Sequence, residues 1–185
     1  MGISIVGLSP HPPLIIPEVG GERIKEVEKT VDNLRELSEE VVNSNPDLVI
    51  TISPHGPVFR DAIAVINSEI LRGDFRDFGV PQASYEVSSE PKFIDKLKKK
   101  ADNNSIKLVK LGRSELKSYG LNNELDHGVL VPLHYLKEAG LNAPVVVLSM
   151  GLLDYMTLYK FGTLLDETLE EMDINGAIIA SGDLS

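Results

Sequence analysis

The chain has 185 residues, 42% of them hydrophobic and 25% charged, and contains no cysteine. That composition suits one globular domain able to bury roughly 70% of its unfolded surface without cross-links, and it excludes a disulfide framework, a thiolate zinc site and a cysteine nucleophile within these residues. With 18 basic against 28 acidic side chains the formal net charge is −10, so phosphate backbones and anionic lipid are repelled.

No apolar run approaches the roughly 20 residues that span a bilayer, and the N-terminus lacks the charged region and apolar core of a signal peptide. The expectation is a cytoplasmic protein with no nucleic-acid partner and no membrane. A cysteine-free chain also fits a reducing compartment. Self-association is left open.

Four short, almost wholly apolar runs occur at residues 3–8, 48–52, 145–148 and 177–180. They are rich in Val and Ile and too short for helices, so they predict strands buried on both faces. Between the first two, Ile24, Val27, Val31, Leu34, Leu37 and Val41 form one apolar stripe, predicting a helix over 22–43 that Asn45-Pro46 ends. Residues 62–70 and 74–87 are less regular and read as extra strands or a hairpin excursion. An amphipathic segment over 91–101 ends in Lys98-Lys99-Lys100, read as a solvated helix terminus. A further helix is expected from near His127 to Gly140, and another over 155–172 capped by Asp154. Strand alternating with helix gives an α/β class, with a largely parallel or mixed central sheet flanked by helices.

Two of the four histidines sit in matching phrases, Ser9-Pro10-His11-Pro12-Pro13 and Ser53-Pro54-His55-Gly56-Pro57, each directly after a predicted strand. Parallel strands end on one edge, where ligands bind, so the imidazoles of neighbouring strands can converge there. The prolines restrict φ and stiffen both loops. One such loop would be an ordinary turn; two at equivalent places favour a metal pair. Two imidazoles do not complete a site, because the open facial triad of non-haem Fe(II) oxygenases adds a carboxylate. Asp183, at the end of the fourth run, is the in-chain candidate, with a turn-fixing or hydrogen-bonding role as the alternative. His127 follows Asp126 at a helix start and could serve only as part of a cap. His134, two turns on, is too far along the axis to share its ion and reads as a packing or surface residue.

The string from His11 to Gly21, the phrase Ile52 to Pro57, the segments Leu125-Asp126-His127-Gly128 and Val131-Pro132-Leu133, and the terminal Ser181-Gly182-Asp183-Leu184-Ser185 occur in order along the chain. Together they resemble the catalytic B-subunit family of class III extradiol ring-cleavage dioxygenases, in the branch found beside Memo-like and radical-SAM proteins. The resemblance implies that fold, with His11 and His55 as ligands of a mononuclear Fe(II), zinc and copper being the alternatives. It implies that His127 is a catalytic residue contacting substrate beside the metal. Pro12, Ser53, Gly56, Asp126, Asp183 and Ser185 are then residues of the pocket or its surroundings. The implied reaction opens a catechol-type ring with O2.

In the family a histidine follows the Gly-Asp-Leu-Ser turn and a glutamate ligand comes later. Both positions lie past Ser185, so residues 1–185 are expected to be a single α/β domain lacking its C-terminal part, inactive alone. The alternative is a Memo-like metal-binding protein of the same fold without ring cleavage.

Overall fold

The computed structural model describes residues 1–121 and 124–182. The four apolar runs become strands β1 (Gly2–Ser9), β2 (Leu48–Ser53), β7 (Val145–Ser149) and β8 (Asn175–Ser181). With β3 (Ile63–Ile66) and β6 (Leu108–Leu111) they form a six-stranded sheet in the order β1-β8-β2-β7-β3-β6. The first four strands of that order are mutually parallel, whereas β3 runs antiparallel to β7 and carries β6 in parallel beside it. The class is therefore α/β with a mostly parallel sheet, as the alternation of patterns predicts.

Strands β4 (Ile70–Phe75) and β5 (Val80–Ser88) form a separate antiparallel hairpin. This is the expected excursion, except that 63–66 joins the main sheet. Strand β6 and the short helix α4 (Arg113–Ser118) were not foreseen. β6 has four residues, two of them only half buried, and includes Lys110, so no apolar run marks it.

Helices α2 (Glu28–Asn43) and α5 (His127–Glu138) cover one face of the sheet, and α3 (Pro91–Asn103) and α6 (Tyr155–Glu171) the other. The helix expected over 22–43 is interrupted: a four-residue α1 (Pro17–Gly20) is followed by a 3-10 stretch over Gly21–Val27 before α2 begins. Gly21 has φ 52° and ψ −129°, a conformation that only glycine adopts readily, and it re-aims the chain. Ile24 and Val27 still pack against the core. Helix α6 starts where expected, with the Asp154 carboxylate accepting the Thr157 N–H at 3.0 Å.

Two expectations need correcting. β1 is not buried on both faces: it is the edge strand, and Val6 and Leu8 are 62% and 63% exposed. Nor is all of the lysine run a solvated terminus, since Lys100 reaches across to Glu167 and Glu171 of α6 at 2.9 and 2.6 Å. No helix among the described residues is long and apolar enough to cross a membrane.

Helix α5 holds the surroundings of the first histidine loop. The buried Tyr135 hydroxyl donates to the Ile15 carbonyl, fastening the segment after His11 to the helix. Beside it, the Tyr85 hydroxyl and His134 Nδ1 lie 2.6 Å apart. Burial pushes the Tyr85 pKa up to about 12, so this hydroxyl stays protonated and donates to a neutral imidazole. Burial also lowers the His134 pKa, against the raising influence of Glu18 and Glu138, while Arg35 adds to the lowering. His134 is thus a packing residue.

The sign of its linkage follows. The unfolded chain takes up this proton near pH 6.5 and the folded chain only at lower pH, so the stability contribution is complete above about pH 6.5 and is lost as the pH falls below it. Urea midpoints measured from about pH 8 down to pH 5 should therefore decline on the acid side, and by less in His134→Gln. An identical decline in both proteins would exclude His134 as a source.

Candidate metal centre

The two Ser-Pro-His phrases leave β1 and β2 at the same edge of the sheet, but those strands are not neighbours. Strand β8 lies between them, which separates their axes by roughly 10 Å. Ser9 pairs with Ser181, Ile52 with Ala180 and Ser53 with Ser149, so all four strands end level. Small side chains at that edge let the two loops lean inward over the end of β8.

The result is direct convergence. His11 Nε2 and His55 Nε2 are 2.8 Å apart, with the rings perpendicular and their centroids separated by 4.7 Å. Two nitrogens bonded to one ion at roughly 2.1 Å and at right angles lie about 3.0 Å apart. The observed spacing matches that arrangement. His11 is buried at 2% exposure, and its Nδ1 lies 2.8 Å from Ser181 Oγ. When Nδ1–H donates to that hydroxyl, Nε2 keeps its lone pair for a metal.

The second loop is held differently. The buried Ser53 hydroxyl donates to Asp126 Oδ1 at 2.7 Å and accepts the His55 backbone N–H at 3.2 Å. Asp126 occupies the N-cap position of α5 but makes no side-chain cap; its carboxylate fastens the helix to the end of β2 instead. Close approach explains the neighbouring glycines. A Cβ on Gly56 would stand 1.8 Å from Ser149 Oγ, and one on Gly128 2.5 Å from Ser53 Oγ. Pro12 is exposed and acts through its backbone, its carbonyl accepting the Ile15 N–H at 3.1 Å to close the turn after His11.

His127 opens α5 and faces the same space. Its ring centroid lies 3.9 Å from that of His55, with the planes inclined by 38°, and 5.5 Å from that of His11. One nitrogen from each of the three histidines falls within 4.8 Å of the others, and this group among the described residues contains no carboxylate. Imidazole donors suit iron, zinc or copper. Asp183 and Ser185, named from the sequence, lie outside the described residues.

His55, Asp126 and His127 also line a cavity of about 350 Å³. Phe78 and Glu124 line it too, and sequence reasoning missed both. Phe78 sits at the hairpin tip, 40% exposed, with its ring 5.4 Å from His127. Burial pushes the Glu124 carboxyl up, but hydrogen bonds from Arg113, Ser68 and the Arg72 backbone outweigh it and hold the group below its ordinary pKa. Glu124 so ties α4 and β4 to the segment entering α5. Ser181 was missed as a side chain, although its place at a strand end opposite Ser9 was a usable signal.

The chain matches the family described as the catalytic LigB subunit of aromatic ring-opening dioxygenase over residues 6–185. It is 33% identical over 178 residues to Protein CA_C1420 of Clostridium acetobutylicum, covering 96% of this chain and 38% of that protein. It is 31% identical over 141 residues to a 4,5-DOPA dioxygenase extradiol-like protein of Schizosaccharomyces pombe, covering 76% of this chain and 44% of that protein. The chain thus spans less than half the length of these relatives. Matched along nearly its whole length, and with paired histidines at the edge of its sheet, the chain belongs to the family of catalytic LigB subunits of aromatic ring-opening dioxygenases.

Proposed function

We propose that these residues form one α/β domain carrying the metal centre of an extradiol dioxygenase, which opens a catechol-type aromatic ring with O2. The observation that carries this reading is the 2.8 Å approach of His11 Nε2 to His55 Nε2, with Nδ1 of His11 beside Ser181. Those donors fit a mononuclear ion with adjacent positions left open, for which Fe(II) is our assignment and zinc or copper the alternatives. When bound, the ion supplies Lewis acidity and a redox-active centre for the diol and O2. The name carried by the fission-yeast relative supports a catechol-type substrate. A cytoplasmic setting is part of this proposal.

In this reading His11 and His55 ligate the ion and His127 serves the substrate. His127 lies partly over the face of the His55 ring and lines the cavity, which supports a role toward substrate beside the ion. Its imidazole there orients the ring and exchanges a proton with a substrate hydroxyl. Ser53 and Asp126 hold the His55 loop and the start of α5 in mutual register.

In the intact protein, His11→Ala and His55→Ala should each abolish Fe(II) binding, measured anaerobically by titration, together with catechol cleavage. His127→Ala should retain the metal while turnover falls by about 10²–10⁴-fold. Loss of metal from His127→Ala would make it a ligand, and an intact protein that binds metal yet cleaves no catechol would favour the Memo-like alternative.

The Ser181 contact generates a separate test. Removing a group that orients a ligating imidazole typically costs about 10–100-fold in metal affinity. Ser181→Ala should show that loss in the titration, with His55→Ala as the reference for complete loss. Unchanged affinity would mean that the hydroxyl does not orient His11.

A further inference from the structure

His127 closes a run, Glu124-Leu125-Asp126-His127, whose members are gripped by different parts of the fold. Asp126 is bonded to the end of β2 through Ser53, and the Leu125 side chain is fully buried in the core. The Glu124 and Leu125 N–H groups both donate to the Arg72 carbonyl of β4, at 3.0 and 3.2 Å. The next residue of β4 is a glycine, and a Cβ on Gly73 would stand 2.5 Å from the Leu125 carbonyl oxygen. Strand β4 therefore passes the run at backbone distance, just ahead of α5.

The Glu124 side chain reinforces that approach. It is 7% exposed, and both of its oxygens are satisfied. Arg113 Nε–H and the Ser68 hydroxyl donate to Oε1 at 2.5 and 2.9 Å. The Arg72 backbone N–H and Arg113 Nη2 donate to Oε2 at 3.0 and 3.4 Å. A buried ion pair is a poor source of stability, because an apolar side chain of similar volume often serves as well. A guanidinium facing both oxygens of a carboxylate adds direction instead, since the two planar groups fix each other's orientation.

The same carboxylate closes a span of the cavity wall. Arg113 opens α4 and Glu124 precedes α5, and Leu116, Gly120 and Leu121 between them line the cavity together with His127. Anchored from the sheet through Asp126 and from the hairpin through Glu124, the run cannot pivot about either point.

We infer that Glu124 is a positioning residue for His127: its carboxylate, gripped by Arg113, Ser68 and the Arg72 backbone, fixes the start of α5 against β4 and keeps the His127 imidazole beside His55. Its effect on turnover rests on the ring-cleavage reading above; its grip on the run does not.

The test compares the intact protein with Glu124→Gln, Arg113→Gln and the double variant. The Arg113 side chain is 56% exposed, so its variant keeps the test open should Glu124→Gln fail to fold. Hydrogen exchange, with or without the ion, needs no turnover: the amides of residues 124–130 should exchange about tenfold faster in each variant while those of β2 keep their rate. In the Fe(II)-loaded protein, catechol turnover should fall about 10–10²-fold with KM and Fe(II) affinity unchanged. The double variant should be no worse than either single one, because both remove the same contact. Unchanged exchange over 124–130 overturns the positioning role, and so does faster exchange with undiminished turnover. A loss of Fe(II) affinity in step with turnover also overturns it, since that is general loosening of the site. Faster local exchange in a protein that cleaves no catechol even as wild type supports the grip and sinks the ring-cleavage reading alone.

Discussion

Strand β8 is hydrogen-bonded to β1 on one side and to β2 on the other, and that double pairing sets where the two histidine loops can go. Each N–H and C=O of the parallel ladder needs a partner on the neighbouring strand, and β1, β8, β2 and β7 pair up to the same level. The row of serines at their ends is the consequence. Ser53 and Ser181 present hydroxyls to Asp126 and His11, and Gly56, lacking a Cβ, leaves room for Ser149. A larger side chain at any of these positions would push one of the loops off the edge.

Around that edge the supports work as a graded set. His11 is buried and is approached from below by Ser181, while the segment after it is fastened to α5 through Tyr135 and Ile15. His55 is exposed and depends on the Ser53–Asp126 bond to keep its loop against the same helix. Helix α5 therefore positions all three imidazoles: one by its own first residue, two by the loops it grips. Its apolar body, from Val129 to Leu136, sits in the core. Rigid elements carrying a convergent set of donors are what a metal centre requires.

The hairpin β4–β5 lies outside the main sheet but joins the core through Leu71, Phe75, Val80, Ala83 and Val87. Its tip carries Arg76 and Phe78 to the wall of the cavity, where variation would change the lining and leave the His11 and His55 loops in place. Arg76, Phe78 and the strut at Glu124 are where such variation would act.

Much of this was written in local pattern. The four apolar runs marked four strands, of which β2, β7 and β8 are largely buried and so must be apolar almost throughout, and the Asp154 cap marked a helix start because an orphan N–H needs an acceptor there. His11 and His55 stood out because the same phrase followed two such strands. What local pattern could not carry was anything fixed by strand order. That β8 separates β1 from β2, that β1 is an edge strand with Val6 and Leu8 exposed, and that Ser181 meets His11 across 170 residues of chain all follow from long-range pairing. Short β6 escaped notice because four residues with Lys110 among them bear no periodic signal. Phe78 looks in sequence like any hairpin apolar residue; only the folded chain, by bringing the tip of β4–β5 over the N-terminus of α5, sets its ring beside His127.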